Sequence, residues 1–369
     1  MLLHTEIVND WEALAPLEPH WDALLHRSRA DSIFLTWEWI QSWREAVGGS
    51  LTPFVVLARQ ESSELVGIAP LYRTRALLAR FVPYRILRVL GDDQSGSEYP
   101  DWILREDVEG PAGLAIARTL AAARGWDCLW APRVSGWMGA RDRLIEACAG
   151  VGLFCRSRPG EFAATDLPAD YATYLRSLSG NARSVLQRRT KQLFRSPDVC
   201  FERCESERDI PRFLDALFEL NQRRWSHVGR VGTFVGRPLE AAFYRSFAGP
   251  ALRRGWLWLA AIKVAGEFKA VQIGYVYNGT FHQLQEGFDP AGPNGVGNVL
   301  RARVIEECIR AGIKSYDFLG GFTEHKRRWL AQVRGGFDLF IGRRTLKNAP
   351  IFMAGIWPTG RYFRPVPPG

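Results

Sequence analysis

The stretch 256–288, WLWLAAIKVAGEFKAVQIGYVYNGTFHQLQEGF, leaves the chain few ways to fold. Three runs rich in β-branched and aromatic residues are separated by the dipeptides Ala265–Gly266 and Asn278–Gly279. Asn-Gly between apolar runs is a strong hairpin signal, so an antiparallel meander is expected. A glycine-rich loop, GPNGVGN, follows, and then GNVLRARVIEECIRAG. There Val296, Leu300, Val304 and Cys308, with Ile305 and Ile309, recur at helical spacing. Such a helix lays an apolar face on the sheet, its N-terminus points back at the loop, and the strand KSYDFLGG comes after it.

At 369 residues the chain is long for a single hydrophobic core, and two domains are expected. In the first half, DSIFLTWEWIQSWREAVG reads as a helix capped by Asp31 or Ser32 and stopped at Gly48–Gly49. A hairpin (PFVVLARQ, LVGIAPLYRTR), two short strands around the loop DDQSGSEYP (92–100), an Ala-rich helix and the strand WDCLWAP complete it. The second half opens on the basic helical stretch DYATYLRSLSGNARSVLQRRTKQLFRSP, interrupted near Ser179–Gly180. Two further helices lead into the meander. Each half runs helix, antiparallel strands, loop, helix, strand, consistent with two copies of one fold.

Charge and cysteine usage narrow the chemistry. Forty-eight Lys and Arg against 39 Asp and Glu give a net charge of +9, which favours anionic partners. Phosphorylated cosubstrates, nucleic acid and membrane surfaces all qualify. The six cysteines are scattered, without paired metal-ligand spacing or a histidine cluster, so reduced thiols and no metal are expected. The N-terminus lacks a signal-peptide pattern, and no apolar run approaches the roughly 20 residues a membrane span needs. A cytoplasmic chain is therefore expected. Its tail, residues 346–369, mixes basic and large apolar side chains, which suits either contact with the inner face of a membrane or packing across the domains.

Gly292, Gly295 and Gly297 give the spacing G-x-x-G-x-G. No Gly-Lys-Ser/Thr follows, and the preceding strand belongs to a meander, so neither a Walker loop nor a dinucleotide fingerprint fits. Two readings stand at this point. A helix N-terminus with nearby glycines can cradle a phosphate; the same glycines also make a plain turn.

A meander that ends in a Gly-rich loop, a helix and one more strand resembles the acyl-CoA-binding core of the GCN-five-related N-acetyltransferase (GNAT) superfamily. Its pyrophosphate loop reads Gln/Arg-x-x-Gly-x-Gly/Ala; Gly295 and Gly297 match, and Gly292 stands where Gln or Arg would be. The segments GFDP, YDFLGG, HKRRW, FLTWEWIQSWREAVG, LVGIAPLY and the RRW of 223–225 resemble the CelD-like branch, annotated in cellulose biosynthesis, and the tandem layout resembles FemAB-type proteins. The resemblance implies an α/β fold with two tandem GNAT-like domains, 1–167 and 168–345, and the tail 346–369. It implies acyl-CoA as cosubstrate, with no tightly bound cofactor. Gly292, Asn294, Gly295, Val296, Gly297 and Asn298 would hold it, while the first domain shapes the acceptor groove. The family's Tyr-Lys pair is His325–Lys326 here.

Acyl transfer to an amine needs a polarised carbonyl, an unprotonated amine and a proton for the departing thiolate. Three side chains are candidates for the proton work. Glu286 ends the strand FHQLQEGF, on one face with His282, Leu284 and Phe288 by alternation, and its alternative is a salt bridge. Asp317 sits in an apolar strand, where a carboxylate must be paired, to the loop or to Lys326 in the structural reading. His325 titrates in the right range unless it is a solvated surface histidine. Arg224, Trp225, Lys326 and Trp329 are candidates for substrate binding, as are Arg188 and Arg189 on the basic helix. The expected function is N-acylation of a cell-envelope amine, on an amino sugar or a long-chain lipid amine. The alternatives are FemAB-like transfer from aminoacyl-tRNA, the one reading that needs nucleic acid, and an inactive scaffold.

Overall fold

Ala265 and Gly266 both take positive φ (50° and 81°), as do Asn278 and Gly279 (46° and 71°). Two successive positive φ values make a tight turn whose twist matches that of the flanking strands, so both dipeptides close hairpins. The computed structural model describes residues 2–47, 51–92, 95–357 and 363–365. Two compact units form: 1–93, 97–161 and 335–369 in one, 94–96 and 162–334 in the other. The stretch 335–345, expected to close the second domain, thus belongs to the first unit. Its strand pairs there, Gly336 to Gly342 running antiparallel against Ser135 to Cys128.

In the first unit Leu3–Val8, Val55–Gln60, Leu65–Ala69 and Ile103–Leu104 form an antiparallel sheet in that order. Leu71–Leu78 pairs antiparallel with Val82–Val89, which runs parallel to Cys128–Ser135. The helix expected to begin at Asp31 or Ser32 runs Trp37–Val47 instead. Buried Ile33, Phe34 and Leu35 form a separate 3₁₀ turn, and the Thr36 hydroxyl accepts the Trp39 N–H at 3.3 Å, taking the capping role. The expected stop at Gly48–Gly49, Asp93 and Gln94 of the loop 92–100, and 358–362 and 366–369 of the tail lie outside the described residues.

The second unit holds the meander. Gly180–Leu193 (α1) starts after Ser179, whose hydroxyl caps the Ala182 N–H, and this is the interruption read from sequence. Val199–Arg203 (β1), Ile210–His227 (α2) and Pro238–Arg253 (α3) follow. Leu257–Val264 (β2), Glu267–Tyr277 (β3) and Thr280–Phe288 (β4) form the meander, and Val296–Arg310 (α4), Ser315–Gly320 (β5) and Glu324–Arg327 (α5) come after it. Sheet order is β1-β2-β3-β4-β5, and β5 pairs on its other edge with residues 162–166. Val296, Leu300, Val304, Ile305 and Cys308 of α4 are buried with Trp258, Ile262, Phe281 and Tyr316 of the sheet. Each such side chain contributes about 1.5–3 kcal/mol, so this one face anchors α4.

Two irregularities in β4 set up the site. β4 pairs in parallel with β5 at Thr280–Ser315, Phe281–Tyr316 and His282–Asp317, and no further pairing joins the two strands among the described residues. The second irregularity lies against β3, where Ile273 faces Gln285 but Gly274 faces Gln283, leaving Leu284 as an extra residue. This bulge corrects the alternation read from sequence, because an extra residue reverses the order of faces beyond it. Gln283, with Phe281, thereby shares a face with Glu286 and Phe288.

The opposite face of β4 meets α2 at close quarters. A Cβ on Gly287 would stand 2.5 Å from the Asn221 nitrogen and 2.8 Å from the Leu217 oxygen, both backbone atoms that cannot swing aside. Gly287→Ala is therefore expected to lower unfolding free energy by about 1–3 kcal/mol, measured by urea denaturation. A change within experimental error would show that α2 and β4 are not so tightly packed.

Candidate active site

The bulge and the parting of β4 from β5 place Glu286 beside helix α4. Its Oε1 accepts from Arg224 Nη1 of α2 at 2.8 Å, and its Oε2 accepts from Arg301 Nη2 of α4 and from Gln283 Nε2 at 3.4 Å. Burial alone raises the pKa of a carboxyl; here Arg301 and Arg224 outweigh it and hold Glu286 below its ordinary value. Glu286 is thus an ionised anchor between two guanidinium groups, the salt-bridged arrangement weighed from sequence. Arg224 also lies over the rings of Phe288 and Trp225, at 4.9 and 5.2 Å.

Arg301 carries the constellation to His325. The arginine residue is 2% exposed, its Nη1 stands 2.6 Å from His325 Nε2, and its guanidinium carbon lies 5.3 Å over the Trp329 ring. Burial, then the nearby Arg301 charge, pulls the His325 pKa down to about 4. A neutral imidazole with so low a pKa is a weak base at neutral pH. Helix α5 is held in place from both ends. Thr323 Oγ1 caps the Lys326 N–H at 3.3 Å, and Lys326 Nζ donates to the carbonyls of Leu319, Gly320 and Gly321 at 3.2, 2.7 and 2.7 Å. Lys326 therefore ties the end of β5 to the helix that carries His325.

Asp317 is not brought to this group. It lies in the last rung where β4 meets β5, its Oδ1 accepting the Leu319 N–H at 2.8 Å and its Oδ2 3.4 Å from His282 Nδ1. Leu319 takes a φ of 61°, and the Asp317 carboxylate holds that kinked strand end. On the Glu286 side of the sheet, Gln272 Nε2 donates to the Tyr316 hydroxyl at 2.6 Å, which donates to Gln283 Oε1 at 2.9 Å. A hydrogen-bonded chain thus runs from Gln272 through Tyr316 and Gln283 to Glu286, Arg301 and His325.

The glycine loop closes on itself before α4 begins. Asp289 Oδ1 accepts the Ala291 N–H at 3.0 Å, its Oδ2 takes Lys269 Nζ at 3.3 Å, and the Gly292 N–H donates to the Asp289 carbonyl at 3.1 Å. Gly295 is the N-cap of α4 with φ 77°, and no side chain caps the helix. The Val296 N–H is used by the Pro293 carbonyl, whereas those of Gly297 and Asn298 have no acceptor among the described residues. Arg189 of α1 leans on the loop, its Nη1 2.8 Å from where a Gly295 Cβ would be. Arg188 is exposed on the same helix and lines neither the cleft along the loop nor the one between α1 and α5.

Two clefts open here. One, about 510 Å³, runs from Arg224 and Glu286 along the loop through Asn294, Gly295 and Gly297; the other, about 490 Å³, lies between α1 and α5, with Leu178, Val185 and Trp329 as apolar wall and Arg189 and Arg328 as cations. Asn298 and His325 line both. The structure thus gathers Glu286, His325, Arg224, Trp329, Arg189 and the loop, and leaves Asp317 and Arg188 apart. Sequence reasoning missed Arg301, Gln283 and Tyr316. For Arg301 a signal existed: it falls on the stripe Gly297, Arg301, Ile305, Cys308, and an arginine on a buried stripe needs a buried partner.

Residues 180–327 match the acetyltransferase (GNAT) domain family. No curated protein sequence matches the chain. FemX shares the fold at TM-score 0.62 and 11% identity, over 91% of this chain and 96% of that one. L-PGS from Bacillus licheniformis does so at 0.53 and 16%, over 94% and 95%. A tandem GNAT protein from the clavulanic acid biosynthesis pathway does so at 0.50 and 11%, over 92% and 98%. Identities this low speak to the fold: mixed α/β, two GNAT-like halves in tandem, mostly antiparallel sheets flanked by helices.

Both titrating groups of the site make stability fall with acid. Unfolded, His325 takes up its proton near pH 6.5 but folded only near 4; Glu286 protonates near 4.5 unfolded and lower when folded. The unfolded state therefore binds more protons below pH 6.5, and stability drops as pH falls through that window. The urea midpoint is expected to be lower at about pH 5 than at about pH 7.5. His325→Gln should flatten part of that slope; an unchanged slope would contradict the environment described for the ring. On the family match and this geometry, residues 180–327 are a GNAT-type acetyltransferase domain and the chain is an acyltransferase.

Proposed function

We propose that this chain, of the CelD-like branch, transfers an acyl group from acyl-CoA to an amine of a cell-envelope component, forming an amide. The acceptor is an amino sugar of an exopolysaccharide or a long-chain lipid amine. One observation carries the reading: the N-terminus of α4 offers the free N–H groups of Gly297 and Asn298 beside the gap between β4 and β5. A diphosphate satisfies such donors and the partial positive charge of the helix end. Arg189 at the loop adds a full positive charge. The cleft then leads past Asn298 and His325 toward Arg224 and Glu286, whose rim suits a hydroxylated or amine-bearing acceptor.

Calorimetric titration with CoA, acetyl-CoA and palmitoyl-CoA tests this reading. Wild type is expected to bind, and Arg189→Glu to bind about tenfold more weakly, a loss of about 1.4 kcal/mol. Gly295→Trp, which forces a bulky residue into a left-handed backbone against Arg189, should abolish binding while circular dichroism stays native. Absence of binding to all three ligands would overturn the proposal. Preference for palmitoyl-CoA would place the acceptor pathway among lipids. A second reading, transfer from aminoacyl-tRNA, is favoured by the fold shared with FemX and by exposed Arg188 and Lys191 on α1 and Arg195 just beyond it. It predicts tRNA binding that collapses between about 50 and 200 mM salt, together with silence toward CoA.

A peripheral membrane contact is part of the same proposal. In the first unit Phe81 is 83% exposed, Leu346 94% and Met353 87%, with Arg80 and Arg344 also on the surface. Apolar side chains among arginines suit an anionic lipid surface. No helix among the described residues is long and apolar enough to cross a membrane. The protein is expected to sediment with vesicles containing phosphatidylglycerol and to stay in solution with pure phosphatidylcholine. The double variant Phe81→Glu, Leu346→Glu should lose the interaction; equal sedimentation of the two forms would contradict it.

A further inference from the structure

His325 lines both clefts, and one of its ring nitrogens is already committed. Nε2 stands 2.6 Å from Arg301 Nη1. A guanidinium only donates, so Nε2 must accept. A ring that accepts at Nε2 is neutral and keeps its proton on Nδ1. Nδ1 itself has no partner among the described residues, and the histidine is on the surface of the clefts. We propose that Arg301 is a positioning residue that fixes His325 as the neutral Nδ1–H tautomer, so that the imidazole presents a hydrogen-bond donor, and not a base, where the two clefts meet.

The surroundings maintain this state from every side. Arg301 is itself fixed by its bond to Glu286 and by stacking on Trp329, with 2% of its surface exposed. Arg224 of α2 completes the grip on Glu286, and Arg328 lines the second cleft together with His325. Burial disfavours the imidazolium most, Arg301, Arg224 and Arg328 add to that, and Glu286 acts the other way. Glu324, on the same short helix as His325, is occupied with Arg327 and Arg328 at 2.6 and 3.6 Å. A neutral imidazole donor is suited to hydrogen-bond a carbonyl oxygen as charge develops on it, without giving up its proton at neutral pH. That last step rests on the acyl-transfer reading; the tautomer does not.

Nuclear magnetic resonance of the ¹⁵N-histidine-labelled chain tests both parts, with His325→Gln assigning one signal among the six histidines. Wild type is expected to show Nδ1 protonated and Nε2 bare, unchanged between about pH 5.5 and 8. Arg301→Gln leaves Glu286 near the ring and should raise the midpoint above that of wild type. Should that variant unfold, Arg301→Gln with Glu286→Gln removes both charges and should still titrate above wild type, because Arg301 acts on the ring more strongly than Glu286. A wild-type ring that titrates near neutral pH, or carries its proton on Nε2, overturns the proposal. Adding acetyl-CoA is expected to move the Nδ1–H signal. Calorimetric binding without that shift overturns the donor role; no binding at all defeats the acyl-transfer reading and leaves the pH titration to decide the role of Arg301.

Discussion

β4 and β5 run side by side for three residue pairs and then separate. Most of the site's arrangement depends on that separation. Past His282 that edge of β4 pairs with no strand among the described residues, so its backbone groups there turn to side chains, while the other edge stays paired with β3 as far as Phe288. Asn221 Nδ2 supplies one such bond to the Glu286 carbonyl at 3.1 Å. The opening also leaves room at the end of the sheet for the loop and for the N-terminus of α4. His282 and Asp317 mark the fork, and the Asp317 carboxylate holds the backbone where β5 turns away. Asp317 is a structural support of the cleft, which explains a carboxylate in an otherwise apolar strand.

Electrostatics inside the fork follow from one largely buried carboxylate, that of Glu286, its side chain 14% exposed. Taking Glu286 out of water is unfavourable by itself, and two guanidinium groups with good geometry offset that cost. The arrangement constrains the rest of the pocket. Arg301 is held by Glu286 through Nη2 and meets His325 through Nη1, and His325 stays neutral. The order of dependence runs from β4 through the helix to α5. Lys326 gives α5 a second tether by binding three carbonyls at the end of β5. In chemical terms the site presents a fixed anion, fixed cations and neutral donors, the kind of preorganised environment that stabilises developing charge.

Much of this was legible in the sequence, and the parts that were not have physical reasons. The meander, its two tight turns, the amphipathic α4 and the break at Ser179–Gly180 are local matters of period and turn chemistry, and all four are present in the structure. The face of β4 was not legible. A bulge at Leu284 depends on pairing with β3, and alternation counted along one strand cannot register a residue inserted relative to its partner. Arg301 was passed over because the helix was read for its apolar positions; its burial appears only when Glu286 is brought opposite. The ends of the domains were also beyond local reading. Residues 335–342 look like a closing strand of the second half, and only their pairing with 128–135 assigns them to the first unit.

The central claim is that the N-terminus of α4, at the fork between β4 and β5, receives the diphosphate of a CoA thioester. A crystal structure of the protein with acetyl-CoA tests this most directly. The account predicts diphosphate oxygens within hydrogen-bonding distance of the Gly297 and Asn298 amides, Arg189 alongside, and the thioester directed toward His325. A thioester bound elsewhere, or those two amides left without the phosphate at saturating acetyl-CoA, would contradict it.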